Sequence, residues 1–391
     1  MRASTRLELA LGAACAALLL CAPASAAETA PARLRVFFSG HSLIDNPMPD
    51  WVESIAQSRG QSLGWQEQIV LGSPIRVRTR GNDPEASSFS GYQLGKSKSG
   101  GKIDVLRELA NPTELRPGEK YDRLVITERT DLLGAMRWED TAGYLEDFHG
   151  RLAASSPTAE TRLTEVWPEI DDKNPAAWLA YVEGEYFAWQ CVAARVNQRL
   201  AAKGRPGRVS LVPAGLALRE LLQRALDGSV PGITGTPRER VHAVFTDDVH
   251  LTPLGIYLNA AVHYAALFGK TPVGAAGAPG VNPDALALLQ QIAWDTSARA
   301  AAEPLPALTE CRTRFASERC PAYNRYRGKP ENDNQCKGWA APDSPLSERS
   351  SSPRRTLPAL IGWGSGAAGL VVAGLVYLWK RRRPSSGRLD R

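Results

Sequence analysis

Leu34-Arg35-Val36-Phe37-Phe38-Ser39-Gly40-His41-Ser42-Leu43 is the stretch whose reading decides the fold. Residues 34–39 are apolar almost without alternation, as in a strand covered on both faces. Glycine follows at once, so the chain can turn sharply at the strand's carboxyl end, and a helix-like stretch opens near Pro49. A serine in that turn lies where the N–H groups of a following helix can stabilise an oxyanion. Alone, a serine after glycine is an ordinary turn residue, so Ser42 acquires meaning only with a partner.

Four more short apolar segments follow, at 66–71, 122–127, 163–167 and 209–212. Helical periodicity lies between them. It is clearest over 175–202, where Trp178, Tyr181, Val182, Tyr186, Trp189, Val192, Val196 and Leu200 recur at steps of three and four. This alternation predicts an α/β domain with a mainly parallel sheet over residues 32–302.

The partner lies some two hundred residues on, in Asp247-Asp248-Val249-His250-Leu251-Thr252-Pro253-Leu254-Gly255. An aspartate three residues before a histidine can accept the imidazole Nδ1–H within one loop. That leaves Nε2 free to act as a base. Thr252, Pro253 and Gly269 read as the cap, first residue and terminator of a helix just behind His250.

On these two blocks the chain resembles the SGNH/GDSL hydrolase superfamily. Gly40-His41-Ser42-Leu43 matches its first block and Asp247 with His250 its last, over roughly residues 34–268. The resemblance implies a flavodoxin-like three-layer α/β/α sandwich and a Ser42, His250, Asp247 triad without metal or cofactor. It also implies a backbone N–H of Gly72, in Leu71-Gly72-Ser73-Pro74, in the oxyanion hole. One block departs from the pattern. Where the family has Gly-x-Asn-Asp, this chain reads Thr127-Glu128-Arg129-Thr130-Asp131, leaving the Thr130 hydroxyl and Arg129 as candidate donors. Divergent branches that pair Gly-His-Ser-Leu with Val-Trp-Pro, here Val166-Trp167-Pro168, lack that asparagine too. The function implied is a serine esterase that removes a small acyl group, such as acetyl, from an extracytoplasmic polysaccharide. The alternative is a catalytically silent surface domain that binds a glycan or a protein.

Weaker signals are read structurally. Glu165, Glu169, Asp171 and Asp172 form a solvated acidic turn, and Trp138 and Trp167 belong to the core. His41 either lines the pocket or packs half-exposed.

The two ends set the compartment. Arg2 and Arg6, the apolar run 9–21 and Ala24-Ser25-Ala26 read as a signal peptide over 1–26, cleaved after Ala26. Residues 358–379 carry no charge and precede Lys380, Arg381, Arg382 and Arg383, which reads as a transmembrane helix with a basic cytoplasmic tail over 380–391. The folded domain is then periplasmic or extracellular and tethered to a membrane. Of the net charge of +6, residues 1–26 carry +1 and 380–391 carry +5, so the remainder sums to zero and no nucleic-acid partner is expected. Cys191, Cys311, Cys320 and Cys336 remain after cleavage, an even count that suggests disulfides. Three connectivities are open, with Cys311 to Cys320 the natural local loop. Residues 303–357, rich in Pro and Ser, read as a stalk.

Overall fold

Each of the five apolar segments contributes to a strand. The computed structural model describes residues 33–83, 88–341 and 344–346. Its elements run β1 (Arg33–Gly40), α1 (Met48–Ser58), β2 (Ser62–Ile69), α2 (Ile75–Arg80), α3 (Val105–Ala110), β3 (Arg123–Thr127), α4 (Leu132–Trp138), α5 (Thr141–Ser155) and β4 (Glu160–Thr164). They continue with α6 (Pro175–Ala202), β5 (Val209–Val212), α7 (Ala214–Leu226), α8 (Pro237–Val244), α9 (Pro253–Phe268), α10 (Leu286–Ala302), α11 (Leu308–Arg314) and α12 (Cys320–Tyr326).

All strand pairings are parallel and the order is β2-β1-β3-β4-β5. β1 therefore has a neighbour on each edge and helices on each face. That is why Leu34, Val36, Phe37 and Phe38 are all buried and the strand shows no polar alternation. The chain moves one way from β1 to β2 and the other way through β3, β4 and β5. Right-handed crossovers then place α1 on one face and the later connecting helices on the other. α9 packs on α1 and α10 on α9, whereas α5 packs on α6. The direction reverses at β1, which opens a crevice at the carboxyl ends of β1 and β3, the usual ligand position in such sheets.

Two strand boundaries shift from their sequence reading. β2 ends at Ile69, and Val70-Leu71 form the following turn, with Leu71 72% exposed. Gly64, Gln66 and Gln68 dilute the apolar signal of the true strand. β4 ends at Thr164, and Val166 and Trp167 are buried beyond it, where the Trp167 indole donates to the Val249 carbonyl of the loop that carries His250.

The expected stalk is corrected over its described part. Residues 308–340 form α11, a π-helical turn, α12 and a 3-10 segment, and they belong to the same compact unit as the sheet. Leu308, Phe315 and Trp339 are buried there, and Tyr326 stacks on Tyr181 of α6 with ring centroids 4.3 Å apart. The pairs are Cys191–Cys311 and Cys320–Cys336, which removes the local loop from consideration. Cys311 and Cys320 lie on one nearly continuous helical run, so about 1.5 Å of rise per residue separates them by roughly 13 Å, beyond disulfide reach. Cross-links to α6 and within the segment supplement the few apolar side chains that it contributes to the core. These disulfides are those of a protein that matures in an extracellular or periplasmic setting.

The signal peptide read at 1–26, the span at 358–379 and the tail at 380–391 lie outside the described residues. Among the described residues, no helix is long and apolar enough to cross a membrane.

Candidate active site

The Ser42 turn is built by close approach. A Cβ on Gly40 would meet the Ile44 side chain at 2.3 Å, so glycine lets residues 41–44 fold back on β1. The Ile44 N–H donates to the His41 carbonyl at 3.1 Å, and the buried Asn259 amide of α9 donates to the Leu43 carbonyl at 3.1 Å. Ser42 itself stays partly exposed.

The second block is held just as firmly. Asp247 Oδ1 accepts the N–H of Val249 at 2.8 Å and of His250 at 2.7 Å. The Thr246 N–H donates to the His250 carbonyl, and the Thr252 N–H to the Val244 carbonyl. From outside the loop, the Trp167 indole donates to the Val249 carbonyl at 2.8 Å and the Ile170 N–H to the Asp248 carbonyl at 2.7 Å. Thr252 does precede α9, but its hydroxyl donates to the Ala243 carbonyl instead of capping a helix N–H.

These loops bring Ser42, His250 and Asp247 together. Asp247 Oδ2 lies 2.7 Å from His250 Nδ1, and His250 Nε2 lies 2.8 Å from Ser42 Oγ. An ionised carboxylate only accepts, so Nδ1 carries the proton and Nε2 is free to take the Ser42 hydroxyl proton. Partial desolvation pushes Asp247 up, but hydrogen bonds from the His250 and Val249 N–H groups and the imidazole outweigh it and hold the carboxyl at about 2.

A cleft of about 90 Å³ adjoins the triad, lined by Ser42, Leu43, Met48, Trp167, His250 and Ile256 among others. That is well below the roughly 300 Å³ at which sites for drug-sized ligands begin. A larger cavity of about 750 Å³ opens at the opposite, amino-terminal edge of the sheet. Its Arg35 pairs with Asp122, and its Arg123 and Arg162 with Glu160.

The other predicted site residues lie nearby but do not line the small cleft. Gly72 occupies the turn after β2 with φ +62°, a left-handed conformation that favours glycine. The Val70 N–H, donating to the Gly40 carbonyl at 3.0 Å, ties that turn to the Ser42 turn. The Thr130 hydroxyl donates to Glu169 at 3.2 Å, and the Arg129 guanidinium reaches Asp131 and Glu139. Both candidate donors are thus engaged away from Ser42.

Beneath the site lies a buried polar network that the sequence reading did not find. Glu128 is fully buried, and its carbonyl accepts His41 Nε2–H at 3.0 Å. His41 is neither pocket-lining nor half-exposed: it is 2% exposed, and burial, with the Arg78 charge adding to it, lowers it to about 4. Arg78 is fully buried as well, and desolvation lowers its guanidinium to about 10. Nothing in the pattern of α2, Ile-Arg-Val-Arg-Thr-Arg, marks which arginine turns inward. Trp167 is the missed positioning residue that did carry a signal, through Val166-Trp167-Pro168.

Two weaker readings change. Glu165 is not solvated: it is fully buried against the start of α7, accepting the Leu216 N–H at 3.0 Å, and burial raises it to about 8. Trp167 is core as expected, whereas Trp138 is 73% exposed at the end of α4.

No family model and no curated protein matches the chain. Among solved structures, the chain is similar to that of a DUF4886 family protein from Bacteroides uniformis, with 16% identity, 71% of this chain and 99% of that chain covered, and a TM-score of 0.46.

Proposed function

We propose that this chain is a serine esterase of the SGNH/GDSL type. The observation that carries the reading is the unbroken hydrogen-bonded series Asp247, His250, Ser42 at the carboxyl edge of a parallel sheet. Ser42 Oγ attacks the acyl carbon while His250 Nε2 takes its proton, and Asp247 stabilises the resulting imidazolium. The N–H groups of Ser42 and Gly72 receive the oxyanion. Collapse breaks the ester bond, and the leaving alkoxide takes the proton from His250. Water then attacks the acyl-enzyme by the same route, releasing the acid and restoring the serine.

The small cleft favours a short acyl group such as acetyl, carried on a polysaccharide met outside the cytosol. Residues 358–379 would tether the enzyme to the membrane, with 380–391 on the cytoplasmic side. A fluorophosphonate probe should label the wild type and not Ser42→Ala, and only the wild type should hydrolyse p-nitrophenyl acetate. An unlabelled wild type sinks the reading.

A second reading is favoured by the engagement of Thr130 and Arg129 elsewhere, which leaves neither of them in the asparagine's place. The domain would then be a silent binder of glycan or protein. Polysaccharide binding unchanged by Ser42→Ala, with no hydrolysis of any acetate ester, would establish it.

A further inference from the structure

Arg78 touches three strand ends at once. Its Nε donates to Ser39 Oγ at 3.1 Å at the end of β1, and Nη1 donates to the Ser73 carbonyl at 2.7 Å and hydroxyl at 3.0 Å in the turn after β2. Its Nη2 donates to the Thr127 carbonyl at the end of β3. Glu128 completes the arrangement from the other side. Oε1 accepts the N–H of Ile75 at 3.1 Å and of Arg129 at 2.9 Å, and Oε2 accepts the Thr141 hydroxyl at 2.9 Å. The guanidinium and the carboxylate therefore grip residues 73–75, immediately after Gly72, and fasten them to the strand that leads into Ser42.

Burying a guanidinium, and near it a carboxyl that burial raises above its ordinary value, is a poor choice for stability alone, because apolar side chains of similar volume often serve as well or better. What the pair supplies is a fixed relation among three loops, through directional bonds that apolar contacts lack. Those are the loops carrying the two backbone donors and the block whose asparagine is absent.

We infer that Arg78 and Glu128 are positioning residues that hold the Gly72 N–H in register with the Ser42 N–H, so that two backbone donors suffice where a side-chain donor is missing. The inference rests on the serine esterase reading. It places no substrate contact on either residue. The pair acts through the turn, where a displacement of about 1 Å costs on the order of 100-fold in rate.

The test uses the full chain with Arg78→Lys, which keeps the charge but not the planar fork, and the double variant Arg78→Met with Glu128→Gln, which removes the guanidinium and the ionisable carboxyl together. Sites are counted by fluorophosphonate labelling taken to completion, and turnover of p-nitrophenyl acetate is expressed per labelled site. Both variants should label, with kcat per site lower by on the order of 100-fold and KM changed less than about threefold. A labelled variant whose kcat per site stays within about threefold of wild type overturns the inference. So does a loss of labelled sites in both variants, which would mean that the pair serves folding only. If the wild type itself fails to label, the esterase reading falls first and takes this one with it.

Discussion

Replacing Asp247 by asparagine should slow p-nitrophenyl acetate turnover by about 10- to 100-fold, and the geometry sets that scale. The carboxylate receives the imidazole Nδ1–H at 2.7 Å, with the His250 and Asp247 side chains 45% and 52% exposed. A hydrogen bond to a charged group contributes roughly 1.5–3 kcal/mol, and solvent screening at this exposure favours the lower half of that range. With about 1.4 kcal/mol per factor of ten, the loss falls well short of the roughly 10⁴-fold reported for a buried triad aspartate. Water can solvate the imidazolium here once the carboxylate is gone. An asparagine NH₂ facing Nδ1 also favours the proton on Nε2, but at this exposure water can take the amide's place beside Nδ1, so the wrong tautomer is not enforced as it is in a buried triad. The variant should stay folded, since the side-chain oxygen can still accept the Val249 and His250 N–H groups. The assay compares kcat for wild type, Asp247→Asn and Ser42→Ala at neutral pH, with melting curves for each. A decrease under about threefold, or one as complete as that of Ser42→Ala, would refute this account of Asp247.

Three further outcomes are expected. Ile256→Ala enlarges the cleft beside Ser42, so the butyrate to acetate rate ratio should rise by about tenfold, and an unchanged ratio would show that the acyl group lies elsewhere. Burial holds Glu165 protonated to about pH 8, whereas the unfolded chain releases that proton near its ordinary value of about 4.3. Its contribution to stability is therefore complete in acid and lost as pH rises through about 8, and Glu165→Gln should remove about 2 kcal/mol of the decline between roughly pH 6.5 and 8.5. Buried His41 and His263, lowered to about 4, act on the acid side of that window, and Glu67, raised by burial to about 7, acts within it equally in both proteins, so equal slopes in urea titrations of the two would contradict the assignment. Replacing Cys191 and Cys311 together by serine opens a link of 120 residues and should cost about 2–4 kcal/mol in denaturant titrations. A stability equal to wild type would mean that α11 packs on α6 without the cross-link.

Much of this molecule was legible in one dimension. β1 announced itself because a central strand covered on both faces must be apolar throughout, and α6 kept its period of three and four along its whole length. Ser42, Asp247 and His250 were legible because glycine before a serine and an aspartate three before a histidine are local devices. Only the tertiary structure brought His250 Nε2 within 2.8 Å of Ser42 Oγ, since the two are 208 residues apart in the chain. It alone chose Arg78 from the three arginines of α2, because which side chain turns inward depends on Ser39, Ser73 and Thr127 arriving from separate strands. The fate of residues 308–340 was likewise a tertiary matter. Their composition forms no core by itself, and partners on α6, Cys191 and Tyr181, lie more than a hundred residues upstream. Local propensity and short spacings are written into the chain, whereas distant partners exist only once the sheet has closed.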